Sequence, residues 1–180
     1  QPEQPVPYSH ELHVNQLGLD CRYCHTTVEE AGFAAIPPTS TCMNCHHAIL
    51  PNSPKLTRVL ESYDSGKAIP WVKVHDLADY SYFAHAPHVN AGVSCVECHG
   101  RVDKMGEEGV WQVENLSMSW CLDCHRNPSP HLRPKDQVFN LAWQPDSGET
   151  QAEFSQRENL VERYNIAHPR QLTDCSTCHR

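Results

Sequence analysis

The chain has 180 residues, with 10 Cys, 13 His, 14 Pro against 8 Gly, and a formal charge of −8. An acidic balance with no basic stretch excludes nucleic acid as a partner, and no apolar run is long enough to span a bilayer. The length suits one domain, and Pro in excess of Gly favours stiff extended connections over long helices, so the expected fold class is mostly irregular with a few short α-helices.

In chain order, residues 1–7 (Gln-Pro-Glu-Gln-Pro-Val-Pro) read as a Pro-rich linker behind an export signal or membrane anchor. Residues 8–50 form a first module, in which an H-x-x-H pair (His10, His13) leads through Gly18 to Cys21-x-x-Cys24-His25 and then to Cys42-x-x-Cys45-His46. Residues 51–79 form a connector with a helix expected over 54–63: Ser53 caps, Pro54 suits the first turn, Leu56, Val59, Leu60 and Tyr63 share a face, and Gly66 ends it. Residues 80–130 repeat the first module. His85 and His88 lead through Gly92 to Cys95-x-x-Cys98-His99 and then to Cys121-x-x-Cys124-His125. Residues 131–180 complete the chain. The stretch 127–148, with four prolines, reads as a long surface segment wrapping a prosthetic group or a neighbour. Thr150-x-x-Glu153 is a capping box opening a helix with Phe154, Leu160, Val161 and Tyr164 on one stripe, and Cys175-x-x-Cys178-His179 closes the sequence.

The C-x-x-C-H pattern therefore occurs five times and uses every cysteine, whereas the composition predicts ~0.04 chance occurrences. It is the attachment site of a c-type haem: two thiols add to the haem vinyl groups and the adjoining His binds iron. Zinc would need two such pairs per metal or two distant His, and five pairs leave one unmatched. A disulfide three residues apart closes a very small loop. The cofactor expected is thus five covalently bound haem c, with His25, His46, His99, His125 and His179 as motif ligands. At about 36 residues per haem, the haem array itself must be the core, and a repeat this short must stack on its neighbour to bury anything. Residues 1–180 are read as a single multihaem cytochrome c domain of two dihaem modules plus a terminal haem.

Eight His lie outside the motifs: His10, His13, His47, His75, His85, His88, His131 and His168. Two His three apart on one turn point to similar sides, so one ligates the haem of its own module while the other reaches an adjacent haem. His10, His13, His85 and His88 are therefore the expected sixth ligands, the alternative being a hydrogen bond from one of them to a propionate. The fifth distal ligand is open between Met118, whose thioether would raise its haem's potential, His75 and His168. His47 and His131 suit the surface or a propionate. Trp71, Trp111, Trp120 and Trp143 cover haem faces or fill core, and Arg101, Arg126, Arg133 and Arg180 pair with propionates or solubilise. Imidazole on both faces leaves iron no open position, so electron transfer is expected and no catalytic residue.

Beyond the haem motifs, Y-S-H-E-L-H-V-x-x-L-G-L-D-C-R-Y-C-H from Tyr8, T-C-M-N-C-H after Pro37-Pro38, I-P-W-V-K-V-H-D-L-A-D-Y at 69–80, M-S-W-C-L-D-C-H-R-N-P at 118–128 and the closing L-T-D-C-S-T-C-H-R resemble the pentahaem cytochrome c subunit of bacterial alternative complex III. The resemblance runs from Tyr8 to Arg180. It implies an electron-transfer subunit of a menaquinol-oxidising membrane complex, on the periplasmic face of the cytoplasmic membrane and anchored by an N-terminal helix. Its implied partners are an iron–sulfur subunit, a monohaem cytochrome c and polytopic membrane subunits, with a soluble cytochrome c, a copper protein or a terminal oxidase as acceptor. Met118 and His75 gain interest as residues typical of that family. Two other readings stay open: a stand-alone periplasmic electron carrier, and a multihaem reductase in which one iron keeps an open position.

Overall fold

A computed structural model describes residues 1–145 and 148–179. Its longest helices, Thr57–Ser65 and Met118–Arg126, have nine residues each, and among the described residues the only β pairing is an isolated bridge between Val93 and Leu132. The fold is mostly irregular with short helices, as the proline-rich composition predicts.

Each short helix has a local cause. In the first and last haem motifs the residue before the first Cys is Asp, and its carboxylate accepts the N–H two residues on: Arg22 to Asp20 at 2.8 Å and Ser176 to Asp174 at 2.9 Å. The motif then closes one turn, with the His N–H donating to the carbonyl of the first Cys at 2.9 Å in His25, His99 and His179. One turn is enough to bring the sulfurs and the imidazole together, and the chain leaves the helix there.

The connector begins as a 3-10 turn, Pro54–Leu56, and continues as Thr57–Ser65, stopped by Gly66 at φ +68°. Ser53 does not cap through its hydroxyl, because its backbone carbonyl already accepts the Leu56 N–H at 3.0 Å in the tighter turn. The Thr150–Glu153 capping box is formed in both directions. The helix behind it, however, is two pieces, Gln151–Arg157 and Leu160–Arg163, separated by Asn159 in the left-handed region at φ +50°.

The stretch 127–148 is the main departure from the sequence reading. Leu132, Arg133, Val138 and Leu141 are all buried, so this segment supplies core as well as surface. Proline folds it into two 3-10 turns, Ser129–His131 and Lys135–Gln137, and hydrogen bonds pin it inward: Arg133 N–H to Gly92 O at 3.1 Å, and Ser94 Oγ to Val138 O at 2.6 Å. Asp146 and Ser147 lie outside the described residues.

The chain gathers into two compact units, one of residues 1–26, 34–75 and 102–112, the other of residues 27–33, 76–101 and 113 onward. The first holds two haem motifs and the second three. Buried apolar side chains are few among the described residues: Val6, Val59 and Met105 in the first unit, and Val28, Val89, Leu132, Val138, Leu141 and Leu160 in the second. Nine such side chains are a small core for this length, which fits a chain whose interior is completed by prosthetic groups.

The duplicated glycines make a contrast. Gly18 and Gly92 both have positive φ, +71° and +91°, but a Cβ on Gly18 would meet nothing within 4 Å. A Cβ on Gly92 would stand 2.9 Å from the Arg133 carbonyl oxygen and 3.0 Å from the Tyr164 ring. Gly18→Ala is expected to cost about 1 kcal/mol of backbone strain, and Gly92→Ala about 2–4 kcal/mol, since it adds a clash with main chain. Thermal denaturation of both variants at equal haem content checks this; equal losses would refute the close approach.

Candidate haem-binding sites

The first requirement of an iron-binding imidazole is a free Nε2 lone pair, which a protein secures by engaging Nδ1–H elsewhere. Four of the five motif histidines do this with backbone carbonyls: His25 Nδ1 to Ala35 O at 2.7 Å, His46 to Ile49 O at 3.0 Å, His125 to Leu172 O at 2.9 Å and His179 to Tyr80 O at 3.0 Å. Three of the expected distal histidines follow suit: His13 to Ser9 O at 2.8 Å, His85 to Gly32 O at 2.8 Å and His88 to Ala84 O at 2.7 Å. His10 is different. Its Nδ1 is buried with no hydrogen-bond partner, and burial, then His25 and His13, lower its pKa to about 4.

Ring spacing bears on which histidines face each other. Two imidazoles sharing one metal through bonds of about 2 Å stand about 6 Å apart between ring centroids. In the first unit His13 lies 6.1 Å from His46, with planes at 65°. In the second, His85 lies 6.3 Å from His99 at 14°, and His88 lies 6.0 Å from His125 at 27°. For His10 the nearest sign of a partner is electrostatic: burial and then the charge of His25 lower its pKa. Each H-x-x-H pair thus addresses two different motifs, the first His the nearer in sequence and the second the farther. The elements responsible are a π-helical turn, Glu11–Gln16, headed by His10, and the helix His85–Asn90.

The sulfurs sit where a neutral form is favoured. Burial, helped by Glu97, pushes the Cys98 thiol up to about 12 and the Cys124 thiol up to about 11; a thioether, being uncharged, suits such a place. Charge coupling also reports adjacency: Cys24 with Cys42 in the first unit, and Cys98 with Cys121 and Cys124, then Cys121 with Cys178, in the second. None of the ten cysteines is in a disulfide. Among the described residues no group of three or more His, Cys, Asp and Glu forms a cage for a bare metal ion. Paired sulfurs beside a presented Nε2, with a second imidazole about 6 Å from the first, fit covalent haem.

The remaining sequence candidates take varied places. Met118 heads the helix Met118–Arg126 in the second unit with 66% of its surface exposed. His75 is half-buried in the first unit. His168 Nδ1 accepts the Arg170 N–H at 3.2 Å as a helix cap, which puts the ring proton of the neutral form on Nε2 and removes the lone pair iron would need. His47 bonds back one turn to Met43 O at 2.8 Å. His131 Nδ1 pairs with Glu97 Oε2 at 2.8 Å. Trp143 is half-buried, edge-on to Phe154 at 5.3 Å and under the Arg133 guanidinium. Arg133 is held by Gln151 Oε1 at 2.7 Å, Asn140 O at 3.2 Å and Glu97 Oε1 at 3.5 Å. Arg180 lies outside the described residues. Sequence reasoning missed this Glu97–His131–Arg133–Gln151 network, which joins residues up to 54 apart and has no local signal. It also missed the aromatic rings beside the distal pairs, Tyr8 and Phe83, which an alignment of the two repeats on their first His would have matched.

No family model matches the chain. Over 100 residues, 55% of its length, it is 38% identical to the multihaem cytochrome c subunit of a menaquinone reductase from Nitratidesulfovibrio vulgaris, and the match covers 47% of that protein. The chain thus spans about half the length of the curated relative. The likeness supports a multihaem cytochrome c with covalent haem c and a part in electron transport; it does not support alternative complex III in particular.

Proposed function

We propose that the chain carries five covalently bound haems and serves as an electron-transfer subunit of a quinone-linked membrane complex. What supports this is three imidazole pairs about 6 Å apart, each of which would supply both axial ligands to one iron and so favours electron transfer over substrate binding there. Bound haem supplies one-electron exchange between ferric and ferrous iron. The chain's own part is to hold it: Cys21, Cys24, Cys42, Cys45, Cys95, Cys98, Cys121, Cys124, Cys175 and Cys178 as thioethers, and the five motif His as proximal ligands. His10 then faces His25, His13 faces His46, His85 faces His99 and His88 faces His125. Backbone carbonyls on Nδ1 of His25, His46, His125, His179, His13, His85 and His88 keep those rings from turning and so keep rearrangement on electron exchange small.

The fifth distal position we assign to Met118. It lies one turn ahead of Cys121 on the same helix face, and Cys121 couples to Cys178 of the last motif, whose His179 has no imidazole assigned to it.

The chain's resemblance to the pentahaem subunit of alternative complex III favours electron flow out of menaquinol. The donor would be an iron–sulfur subunit, the acceptor a soluble cytochrome c, a copper protein or an oxidase, and the place the periplasmic face of the membrane. Among the described residues no helix is long and apolar enough to cross a membrane, so attachment would come from partner subunits or a preceding segment. A second reading reverses the direction, since the relative above is a subunit of a menaquinone reductase.

Isolation of the chain with its native partners tests all of this. A pyridine haemochrome assay is expected to give five haems per chain, and a count below five would refute the ligand inventory. Oxidation of a menaquinol analogue with reduction of a soluble cytochrome c supports the first direction. Menaquinone reduction by a reduced periplasmic cytochrome, without the forward activity, would establish the second. A free soluble pool that alone sustained the electron flow would refute the assembly.

A further inference from the structure

The two repeats share a feature that lies outside the haem motifs. Two residues before the first His of each pair stands an aromatic residue, Tyr8 before His10 and Phe83 before His85. Tyr8 meets the His10 ring edge-on at 4.8 Å and 85° and stacks on the His13 ring at 4.6 Å and 19°. Phe83 meets His85 edge-on at 4.8 Å and 87° and stacks on His88 at 4.7 Å and 28°. The arrangement recurs although the intervening residue changes from Ser9 to Ala84 and the turn changes from π to α.

We propose that Tyr8 and Phe83 are equivalent positioning residues, each a single ring that fixes the planes of both distal imidazoles in its module; this rests on the ligand reading above. An imidazole bound through Nε2 can still rotate about its bond to iron. A hydrogen bond at Nδ1 restrains that rotation at one point, as His13 does with Ser9 O and His88 with Ala84 O. A ring stacked on the imidazole face restrains it over the whole plane, and edge-on contact with the other imidazole blocks its turning in the opposite sense. One aromatic side chain thereby serves two irons.

Plane angle has an electronic consequence that mere packing lacks. Parallel axial imidazoles split two of the iron d orbitals, and steeply crossed ones leave them close in energy, so low-spin ferric resonances differ. The near-parallel pairs His85/His99 and His88/His125 and the steep pair His13/His46 therefore label the modules spectroscopically.

Electron paramagnetic resonance of the oxidised full holoprotein provides the test. Tyr8→Leu is expected to move and broaden the signals of the first module while those of the second stay in place, and Phe83→Leu to do the converse. Tyr8→Phe and Phe83→Tyr, which keep the ring, should retain the wild-type spectrum. Signals are assigned to modules by their loss in His13→Ala and His88→Ala. Haem content is checked in every variant, and if a Leu variant loses haem, Met at the same position fills the volume without a plane. Unmoved signals in haem-replete Leu or Met variants of both modules would overturn the proposal and leave the rings as packing. Failure of His13→Ala and His88→Ala to create any high-spin iron would be a different result, against the ligand reading itself.

Discussion

Replacing His13 or His88 with Ala should turn one haem in each variant from low-spin to high-spin, and that haem should bind carbon monoxide once reduced. The reason is the pairing of His13 with His46 at 6.1 Å and of His88 with His125 at 6.0 Å, each with Nδ1 already committed to a carbonyl. Ala removes that ring and leaves the motif His as a lone axial ligand, so the expected effect is complete loss of low-spin character at one iron, about a fifth of the total. His47→Ala and His131→Ala are the controls. Their Nδ1 atoms bond to Met43 O and to Glu97, neither is among the expected distal ligands, and both variants should keep the parent spectrum. An unchanged spectrum in His13→Ala and His88→Ala together, or a high-spin signal in either control, would refute the assignment.

The second large effect is expected at Met118. Three facing ring pairs account for His46, His99 and His125, His10 is proposed for His25, and the last motif, Cys175-x-x-Cys178-His179, lies in the same unit as Met118. A thioether stabilises ferrous over ferric iron relative to imidazole, so this haem should be the first to fill in a reductive titration. The oxidised protein should show a far-red sulfur-to-iron charge-transfer band. Met118→His should abolish the band and move the potential down among those of the bis-imidazole haems, by a visible part of the ~0.8 V that axial ligands command. Absence of the band from the oxidised parent would refute the assignment.

How much of this was legible in the sequence follows from the range of the signals. The haem motifs are written within five residues each, and the capping box of Thr150 and Glu153 within four, so both can be read locally. The distal histidines are local as pairs, but which motif each faces is not: His13 and His46 are 33 positions apart, and only the folded chain brings them to 6.1 Å. The segment 127–148 departs from its local signal for the opposite reason. Its four prolines are a strong local signal for an exposed loop, and they overrode Leu132, Val138 and Leu141, which are spaced by neither a helix nor a strand period and so gave no pattern to weigh against them. Ser53 was misjudged because a 3-10 turn, unlike an α-turn, consumes the N–H its hydroxyl was expected to take.

The placing of two distal histidines on one turn also bears on how the chain comes together. His10 lies 15 positions before His25 and His13 33 before His46; in the second repeat the corresponding spans are 14 and 37. Closing a loop costs entropy that grows only with the logarithm of its length, about 0.6 kcal/mol for each doubling, so the shorter span of each pair closes at the lesser cost. Once it has, the neighbouring His is already tethered, and the longer span no longer begins from a free coil. If the proposed ligand pairs hold, the first motif of each repeat closes at the lesser entropic cost, and maturation is expected to run from the N-terminal motif outward within each repeat.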